Sequence, residues 1–253
     1  VCRALAGLET ACIVGPGSIR NGLFDRTAGL TGKAGLAGEA ACETFSTYTL
    51  PLCIMTILCG TDFSPNATDA VATAAALARR FNDTLSLVHA TFPPADEGMT
   101  PDVWLPVEGV LRQQLEKQAD ALRAAGTTVQ AHLEMGTPVE AFRRLAKPGS
   151  TRLIVVASVG RVALPQLLLG STADRIAESA PVPTLVVRNA LPFREWTEGR
   201  RPLRVLVAVD FSESSNAALG FARELTNAGP CELRAGYVTG GEDWPAGENP
   251  EQR

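Results

Sequence analysis

Three short polar stretches of the sequence could together bind a ligand that carries both a sugar and a phosphate. They are 60–62 (Gly-Thr-Asp), 157–160 (Ala-Ser-Val-Gly) and 170–172 (Gly-Ser-Thr). The last opens a predicted helix, where free backbone amides and the positive end of the dipole favour phosphate, and Gly170 lets the backbone approach closely. Asp62 accepts hydrogen bonds but repels phosphate, so it suits a ribose hydroxyl. The pattern therefore predicts a nucleotide site built from separate loops.

The same stretches give little support for catalysis. The sequence contains no G-x-x-x-x-G-K-[ST] phosphate loop and no nucleophile elbow, and Arg161 is the one cation near the glycine stretches. We therefore assign no catalytic residue and expect at most a slow ATPase that relies on phosphate positioning. A metal site is not expected either, because none of the six cysteines forms a C-x-x-C pair and there are two histidines.

Alternating strand and helix patterns between residues 55 and 190 would bring these stretches to one edge of a sheet. Strands are predicted at 56–62, 85–91, 128–134, 153–158 and 184–188, with a helix in each interval. Repeated βα units indicate an α/β fold, a five-stranded parallel sheet with helices on both faces, in the flavodoxin-like or Rossmann-like order 3-2-1-4-5 or its relative 2-1-3-4-5. The second helix should bury Val107, Val110 and Leu115 along one face.

In the order 3-2-1-4-5, the crevice at which ligands bind lies between strands one and four. The stretches 60–62 and 157–160 then flank that crevice from its two sides, and 170–172 opens the helix that follows.

The beginning of this domain is repeated later in the chain. Residues 57–90 align without a gap with residues 205–238, with eight identical positions that include Asp-Phe-Ser at 62–64 and at 210–212. An identical tripeptide directly after an apolar strand favours duplication over a chance likeness of two βα units. The second copy is incomplete, because its last three strands and its glycine loop are missing.

The chain therefore divides into four segments. Residues 1–54 are rich in Gly, Ala and Thr, and we expect a disordered tail or a non-native extension ahead of a start at Met55. Residues 55–190 form the complete domain, 191–202 a linker, and 203–253 the truncated start of a second domain. That fragment is expected to pack poorly, to borrow cover from the first domain or to belong to a truncated product.

The motifs resemble those of the universal stress protein family. The family's V-D-x-S and G-x-x-G-x(9)-G-[S/T] motifs have counterparts in T-D-F-S at 61–64 and A-x-x-G-x(9)-G-S at 157–171, and residues 164–188 resemble its final helix and strand. The glycine motif departs at one position, since Ala157 replaces its first glycine. The resemblance implies contacts of adenine and ribose with Gly60 and Asp62, of adenine with Ala90, of ribose with Val156 and Ala157, and of phosphates with Gly160, Gly170, Ser171 and Thr172.

We accordingly expect a stress-response protein whose first domain binds ATP or another adenine nucleotide, with or without Mg²⁺. The expected role is regulatory. Two alternatives remain open: a dimerisation module of the same fold that binds no nucleotide, and a slow adenine-nucleotide hydrolase. The resemblance also implies a homodimer that pairs through strand 184–188, an apolar edge.

Composition limits the partners and the compartment. The net charge of −4 disfavours nucleic acid and anionic membranes, and no apolar run reaches the roughly 18 residues of a membrane span. No secretory signal is recognisable, so we expect the cytoplasm and reduced thiols.

Overall fold

The structure, a computed structural model, describes residues 11–14, 54–91, 101–160 and 170–237, with the backbone alone for 11–14 and 101–104. Within them the strands are β1 (Ala11–Val14), β2 (Thr56–Gly60), β3 (Thr84–Thr91), β4 (Val129–Met135), β5 (Thr151–Ala157), β6 (Thr184–Val187), β7 (Leu203–Ala208) and β8 (Cys231–Gly236). The helices are α1 (Pro65–Phe81), α2 (Pro101–Ala124), α3 (Pro138–Leu145), α4 (Ser171–Ser179), α5 (Leu191–Thr197) and α6 (Glu213–Ala228). Among these residues, no helix combines the length and apolarity that crossing a bilayer requires.

The larger sheet has the strand order β1-β6-β5-β2-β3-β4. Strands β2 to β6 pair in parallel and are strands one to five of the predicted domain, so the order 3-2-1-4-5 is confirmed and 2-1-3-4-5 is wrong. The reversal of strand order between β2 and β5 is the place where such sheets bind ligands.

A sixth strand, β1, adds to this sheet from a segment in which no strand was expected. It runs antiparallel to β6, with Ala11 opposite Val187 and Val14 opposite Thr184. Four residues are too few for a periodic pattern to be recognised. Residues 1–10 and 15–53 lie outside the described part of the chain, so the expectations for them stay predictions.

Each face of the sheet buries its own apolar layer. Ile57 and Cys59 on β2 point to the side covered by α1, α2 and α5, while Leu58 on the same strand points to the side covered by α3 and α4. Strands covered on both faces are continuously apolar, and this explains the unbroken apolar runs in the sequence. The helices thereby hold the carboxyl ends of β2 and β5 in fixed positions.

Helix α2 is buried along less of its length than expected. Leu115 is buried as predicted, but Val107 and Val110 are 42% and 62% exposed, so the predicted apolar face is wrong for the first half. A helix of 24 residues is about 36 Å long, whereas the eight residues of β3 span about 27 Å, so part of α2 extends beyond the strands it covers.

The second unit comprises β7, α6 and β8, and it packs against the first domain. Phe221 of α6 lies 6.4 Å from Phe81 of α1 between ring centres, and Arg152 of β5 forms ion pairs with Asp83 and Glu224. The predicted linker contains α5, whose Trp196 is completely buried. The first domain covers α6, whereas Leu206 of β7 stays exposed, so the cover is borrowed for one side of the unit only. The expectation of a truncated product stays a prediction. The tail beyond residue 237 lies outside the described residues.

Candidate functional site

The acidic corner of the site is a turn made by the residues that join β2 to α1. Asp62 Oδ1 accepts a hydrogen bond from the backbone N–H of Ser64 (3.0 Å), and Ser64 Oγ accepts one from the N–H of Ala67 (3.2 Å), which caps α1. Between them Phe63 takes a left-handed conformation with φ of 63°. The tripeptide Asp-Phe-Ser thus fixes the carboxylate at the carboxyl end of β2.

A second turn, after β5, lies directly against this carboxylate. A Cβ atom placed on Gly160 would stand 2.8 Å from Asp62 Oδ2, closer than real Cβ contacts come. A side chain at position 160 would therefore displace the carboxylate of Asp62 from its present position. The stretches 60–62 and 157–160 do meet, as the strand order predicted.

The third stretch meets the same turn from the start of α4. The N–H of Gly170 donates to the carbonyl oxygen of Ser158 (2.6 Å), and the carbonyl of Gly170 accepts from Asp174 (3.0 Å) in the first turn of α4. Ser171 and Thr172 are exposed at this amino end, where the first amides of a helix have no partner within the helix. Asp62 and the start of α4 thus both contact the turn at 158–160.

A cleft of about 500 Å³ opens beside the acidic corner, within the usual size range of small-molecule sites. Its described lining is Asp62, Phe63, Ser64, Pro65, Asn66, Gln114 and Gly160. Of the nine residues predicted for the site, Asp62 and Gly160 line this cleft. The other seven do not: Gly60, Ala90, Val156, Ala157, Gly170, Ser171 and Thr172.

Two of those seven have a packing role in the structure. A Cβ on Gly60 would lie 3.1 Å from the ring of Phe142 and 3.7 Å from Val156, so the glycine makes room for the layer under α3. Val156 is 6% exposed and belongs to that same layer. Ala90 and Ala157 are half-buried near the carboxyl ends of β3 and β5. A ligand that reaches Gly60 or Val156 would have to contact backbone atoms.

Sequence reasoning missed the contribution of α2. Gln114 lines the cleft, and one turn later Gln118 accepts a hydrogen bond from the hydroxyl of Thr61 (3.2 Å), which holds α2 against the acidic corner. Two glutamines four residues apart mark a polar stripe on the helix, and that is the signal available in the sequence. Which loop the stripe faces depends on the tertiary packing of α2.

His89 and Cys59 have structural roles. Nδ1 of His89 lies 2.7 Å from the carbonyl oxygen of Thr61, and because a carbonyl only accepts, Nδ1 carries the proton in this contact. The ring also packs on Phe63, with 4.6 Å between centres. Burial raises the pKa of the Cys59 thiol, which keeps it neutral and unreactive. Within the described residues, no group of three or more His, Cys, Asp or Glu side chains could hold a metal ion.

Comparison with known proteins gives consistent matches over the first domain. A sequence model described as the universal stress protein family matches residues 54–188. A universal stress protein of Thermus aquaticus is 34% identical over 138 residues, which cover 53% of this chain and 98% of that protein. One from Methanocaldococcus jannaschii is 29% identical over 144 residues, covering 53% of this chain and 81% of the relative.

Solved structures match over the same half of the chain. A universal stress protein in complex with cAMP is 30% identical, with a TM-score of 0.44, and the match covers 54% of this chain and 99% of the other. The protein UspA from Lactobacillus plantarum is 23% identical, with a TM-score of 0.43, and the match covers 53% and 97%.

Proposed function

The chain belongs to the universal stress protein family, and on that premise we propose that its first domain binds ATP or another adenine nucleotide. The proposed role is regulation in a cytoplasmic stress response. The observation that carries the proposal is that Asp62 and the start of α4 lie against the same turn at 158–160, since Asp62 contacts Gly160 and the N–H of Gly170 donates to Ser158. Asp62 and Gly160 also line the cleft described above. Asp62 can accept hydrogen bonds from sugar hydroxyls, and the amino end of α4 attracts phosphate. Both contact the short turn at 158–160, so one ligand could reach both.

The contacts assign a part of the nucleotide to each loop. Asp62 would accept hydrogen bonds from the ribose, and the amides and hydroxyls of Ser171 and Thr172 would hold phosphate oxygens. Gly160 and Gly170 would let both groups come close to the backbone. The adenine would lie against backbone at the carboxyl ends of β2, β3 and β5, where the family resemblance puts Gly60, Ala90, Val156 and Ala157.

Regulation rather than hydrolysis is favoured by the lining of the cleft. Among its described residues Asp62 is the single ionisable side chain, so no second carboxylate or cation is available there to activate water or to neutralise charge that develops on a phosphate. Mg²⁺, if present, would arrive with the nucleotide. Slow hydrolysis stays an alternative that a single-turnover assay for released phosphate would detect.

We propose self-association through strand 184–188 with one condition that the structure adds. The outer edge of β6 is paired with β1. A second copy could pair there after β1 has left.

The test is calorimetric titration of the full chain with ATP, with and without Mg²⁺, for the parent protein and for Asp62→Asn. The substitution keeps an oxygen that can accept from Ser64 but removes the charge, and a hydrogen bond to a charged group contributes about 1.5–3 kcal/mol. We expect binding at micromolar ATP for the parent and a loss of about tenfold to a hundredfold for the variant.

The repeat supplies a matched control. Asp210 Oδ1 accepts from the N–H of Ser212 (3.0 Å), the geometry of Asp62 and Ser64, but no glycine among the described residues of the second unit lies against Asp210. Asp210→Asn should leave ATP binding unchanged. An absence of heat with the parent at high micromolar ATP would refute the proposal and favour the dimerisation module.

A further inference from the structure

We propose that the outer edge of β7 pairs with β7 of a second copy of this chain, antiparallel and across a two-fold axis at Val207. The inference goes beyond the nucleotide proposal, and it uses neither the cleft nor strand 184–188. It starts from the smaller sheet, which among the described strands contains β7 and β8 alone.

The backbone of β7 has one paired edge and one open edge. The N–H groups of Leu203 and Val209 donate to carbonyl oxygens on the β8 side (3.0 and 2.8 Å), so the odd-numbered residues of β7 bond in that direction. Alternate residues of a strand bond to opposite sides, so the N–H and C=O groups of Arg204, Leu206 and Ala208 point to the outer edge. No residue that the structure describes pairs with these groups.

The first domain covers the corresponding edge of its own sheet. Strand β7 aligns with β2 in the internal repeat, and β2 pairs with β5 along that edge. Leu58 of β2 is 2% exposed beneath α3 and α4, whereas the corresponding Leu206 is 37% exposed. An exposed apolar side chain and unpaired backbone groups thus lie together on β7, a combination that favours pairing with a further strand.

Two exposed charges near this edge indicate which strand it takes. Arg204 lies on β7 and Asp210 lies just beyond its end, and Arg204 forms no ion pair within the described part of the chain. A charge beside an open edge discourages pairing with most strands, but opposite charges that face each other across two strands are stabilising. A second copy of β7 offers such a charge, because it presents Asp210.

The position of the two-fold axis follows from these charges. In an antiparallel pair of identical strands, facing residues lie at equal distances on either side of the axis. An axis at Val207 therefore puts Arg204 opposite Asp210 of the second copy, twice in each dimer. It also puts Leu206 opposite Ala208, so that residues with outward N–H and C=O groups face each other and can exchange hydrogen bonds. An axis at Leu206 would leave Arg204 facing Ala208.

The first arm of the test locates the axis by a disulfide. Val207→Cys puts two thiols at the axis, in a pair without hydrogen bonds whose Cα atoms lie about 4.5 Å apart, within the range that a disulfide spans. Mild oxidation of the full chain should join two copies, and peptide mass mapping should find the link at 207. In the control, Val205→Cys, the new thiols lie on the same face but about 13 Å apart along the strands, so they should not link.

The second arm removes a donor from the open edge. The N–H of Leu206 points away from β8, and proline is tolerated on an edge strand where its missing N–H would face solvent. Light scattering over a range of concentrations should show the parent doubling in mass as its concentration rises, and Leu206→Pro staying monomeric. Leu206→Val keeps the donor and should behave as the parent does. Circular dichroism of the three samples checks that they share one fold.

The third arm exchanges the charges and does not depend on the fold of the proline variant. Arg204→Asp and Asp210→Arg should each raise the dissociation constant of the dimer about tenfold, because each replaces two attractions by two repulsions. The double variant restores opposite charges and should return to within about threefold of the parent. In a single copy the two positions lie about 20 Å apart along an extended chain, so a contact within one chain cannot produce the recovery. Arg223→Asp, at an exposed position on α6, is the charge control and should leave the dissociation constant unchanged.

Each arm has a result that would overturn the proposal. A parent that stays monomeric would leave the edge to a strand of another protein. A dimer that persists in Leu206→Pro, or a link at 205 as abundant as the link at 207, would place the interface elsewhere, as pairing through strand 184–188 would. A double charge variant that associates no more tightly than the single variants would show that Arg204 and Asp210 do not face each other.

Discussion

At the scale of single residues, the candidate site depends on two glycines that have different reasons to be glycine. Gly160 leaves space for the carboxylate of Asp62, whereas Gly60 leaves space for the ring of Phe142. The first reason concerns the ligand site and the second concerns the core. A motif position therefore need not contact a ligand in order to require glycine.

Substitution of Gly160 should lower ATP affinity while leaving the stability of the fold nearly unchanged. In Gly160→Ala the new methyl group would meet Asp62 Oδ2 at 2.8 Å, and the flexible carboxylate can move away at little cost to folding. We expect ATP affinity to fall about tenfold or more, because a displaced acceptor loses a charged hydrogen bond, with an unfolding midpoint close to that of the parent. Calorimetry and urea unfolding of the same samples give both values.

The control for this substitution is Gly220→Ala. Nothing lies within 4 Å of a Cβ at this position inside α6. The variant should bind ATP as the parent does and should gain about 0.5–1 kcal/mol in stability from helix propensity. Parent-like ATP affinity in Gly160→Ala would show that Asp62 is not a ligand of the nucleotide.

Local motifs could identify part of this site in advance. Asp62 and Gly160 were predicted because each follows a strand whose carboxyl end had to lie at the reversal of strand order. Gln114 could not be predicted in the same way, because its place in the cleft depends on how α2 crosses the sheet. Residues 161–169, which include Arg161, lie outside the described part of the chain.

At the scale of elements, helix α3 shows how a short helix begins where its sequence requires. Thr137 Oγ accepts from the N–H of Glu140, and the Glu140 carboxylate accepts from the N–H of Thr137 (2.9 Å), so the two form a reciprocal capping box. Pro138 occupies the first turn, where a backbone N–H would have no acceptor within the helix in any case. Local sequence alone therefore fixes the start of α3.

The capping box predicts a pH dependence. Hydrogen bonds from Thr137 lower the pKa of Glu140 below its usual value of 4.5. A lowered pKa in the folded state stabilises the protein above pH 4.5, and this stabilisation is lost as the pH falls through the lowered value. Glu140→Gln should therefore lower the urea midpoint at pH 7 by a few tenths molar.

The difference in urea midpoint between the parent and Glu140→Gln should disappear as the pH is lowered below 4.5. Urea titrations at several pH values measure this difference. Glu178→Gln, at an exposed position late in α4, serves as the control and should show no such gap. A constant difference at all pH values would mean that the Glu140 charge has no part in capping.

Elements with a repeated or capped pattern were predictable, and elements set by distant packing were not. The strands β2 to β6 and the helix starts at Ser64 and Thr137 follow from local sequence. The strand at 11–14 exists only through its pairing with β6, and α5 lies in a stretch predicted as a linker. The exposed first half of α2 reflects a helix longer than the strands beneath it.

At the scale of the whole molecule, the two units are held together by a buried tryptophan. Trp196 of α5 is completely buried, Arg80 of α1 lies over its ring at 5.4 Å, and a Cβ on Gly229 would stand 2.9 Å from its Nε1. Arg80 also donates to the carbonyl of Thr197 (2.9 Å). The tryptophan thus joins α1 to Gly229, the residue that follows α6.

Truncation of this side chain should loosen the second unit. Trp196→Ala removes a fully buried aromatic ring, a change that typically costs about 3–5 kcal/mol. We expect a large fall in the urea midpoint measured by circular dichroism. Leu191→Ala, on the same helix but 43% exposed, should change stability by less than about 0.5 kcal/mol. A Trp196→Ala variant within about 1 kcal/mol of the parent would show that the second unit is not packed as described.

The second unit also repeats the acidic corner, although none of its described glycines lies against Asp210 as Gly160 lies against Asp62. Phe211 has φ of 62° where Phe63 has 63°, although Phe211 is 73% exposed. The same bend thus forms in two very different surroundings, so three consecutive residues suffice to shape it. The carboxylate of Asp62 is thus already held in position in the folded protein. The entropic cost of fixing this side chain arises during folding, so it does not weaken ligand binding.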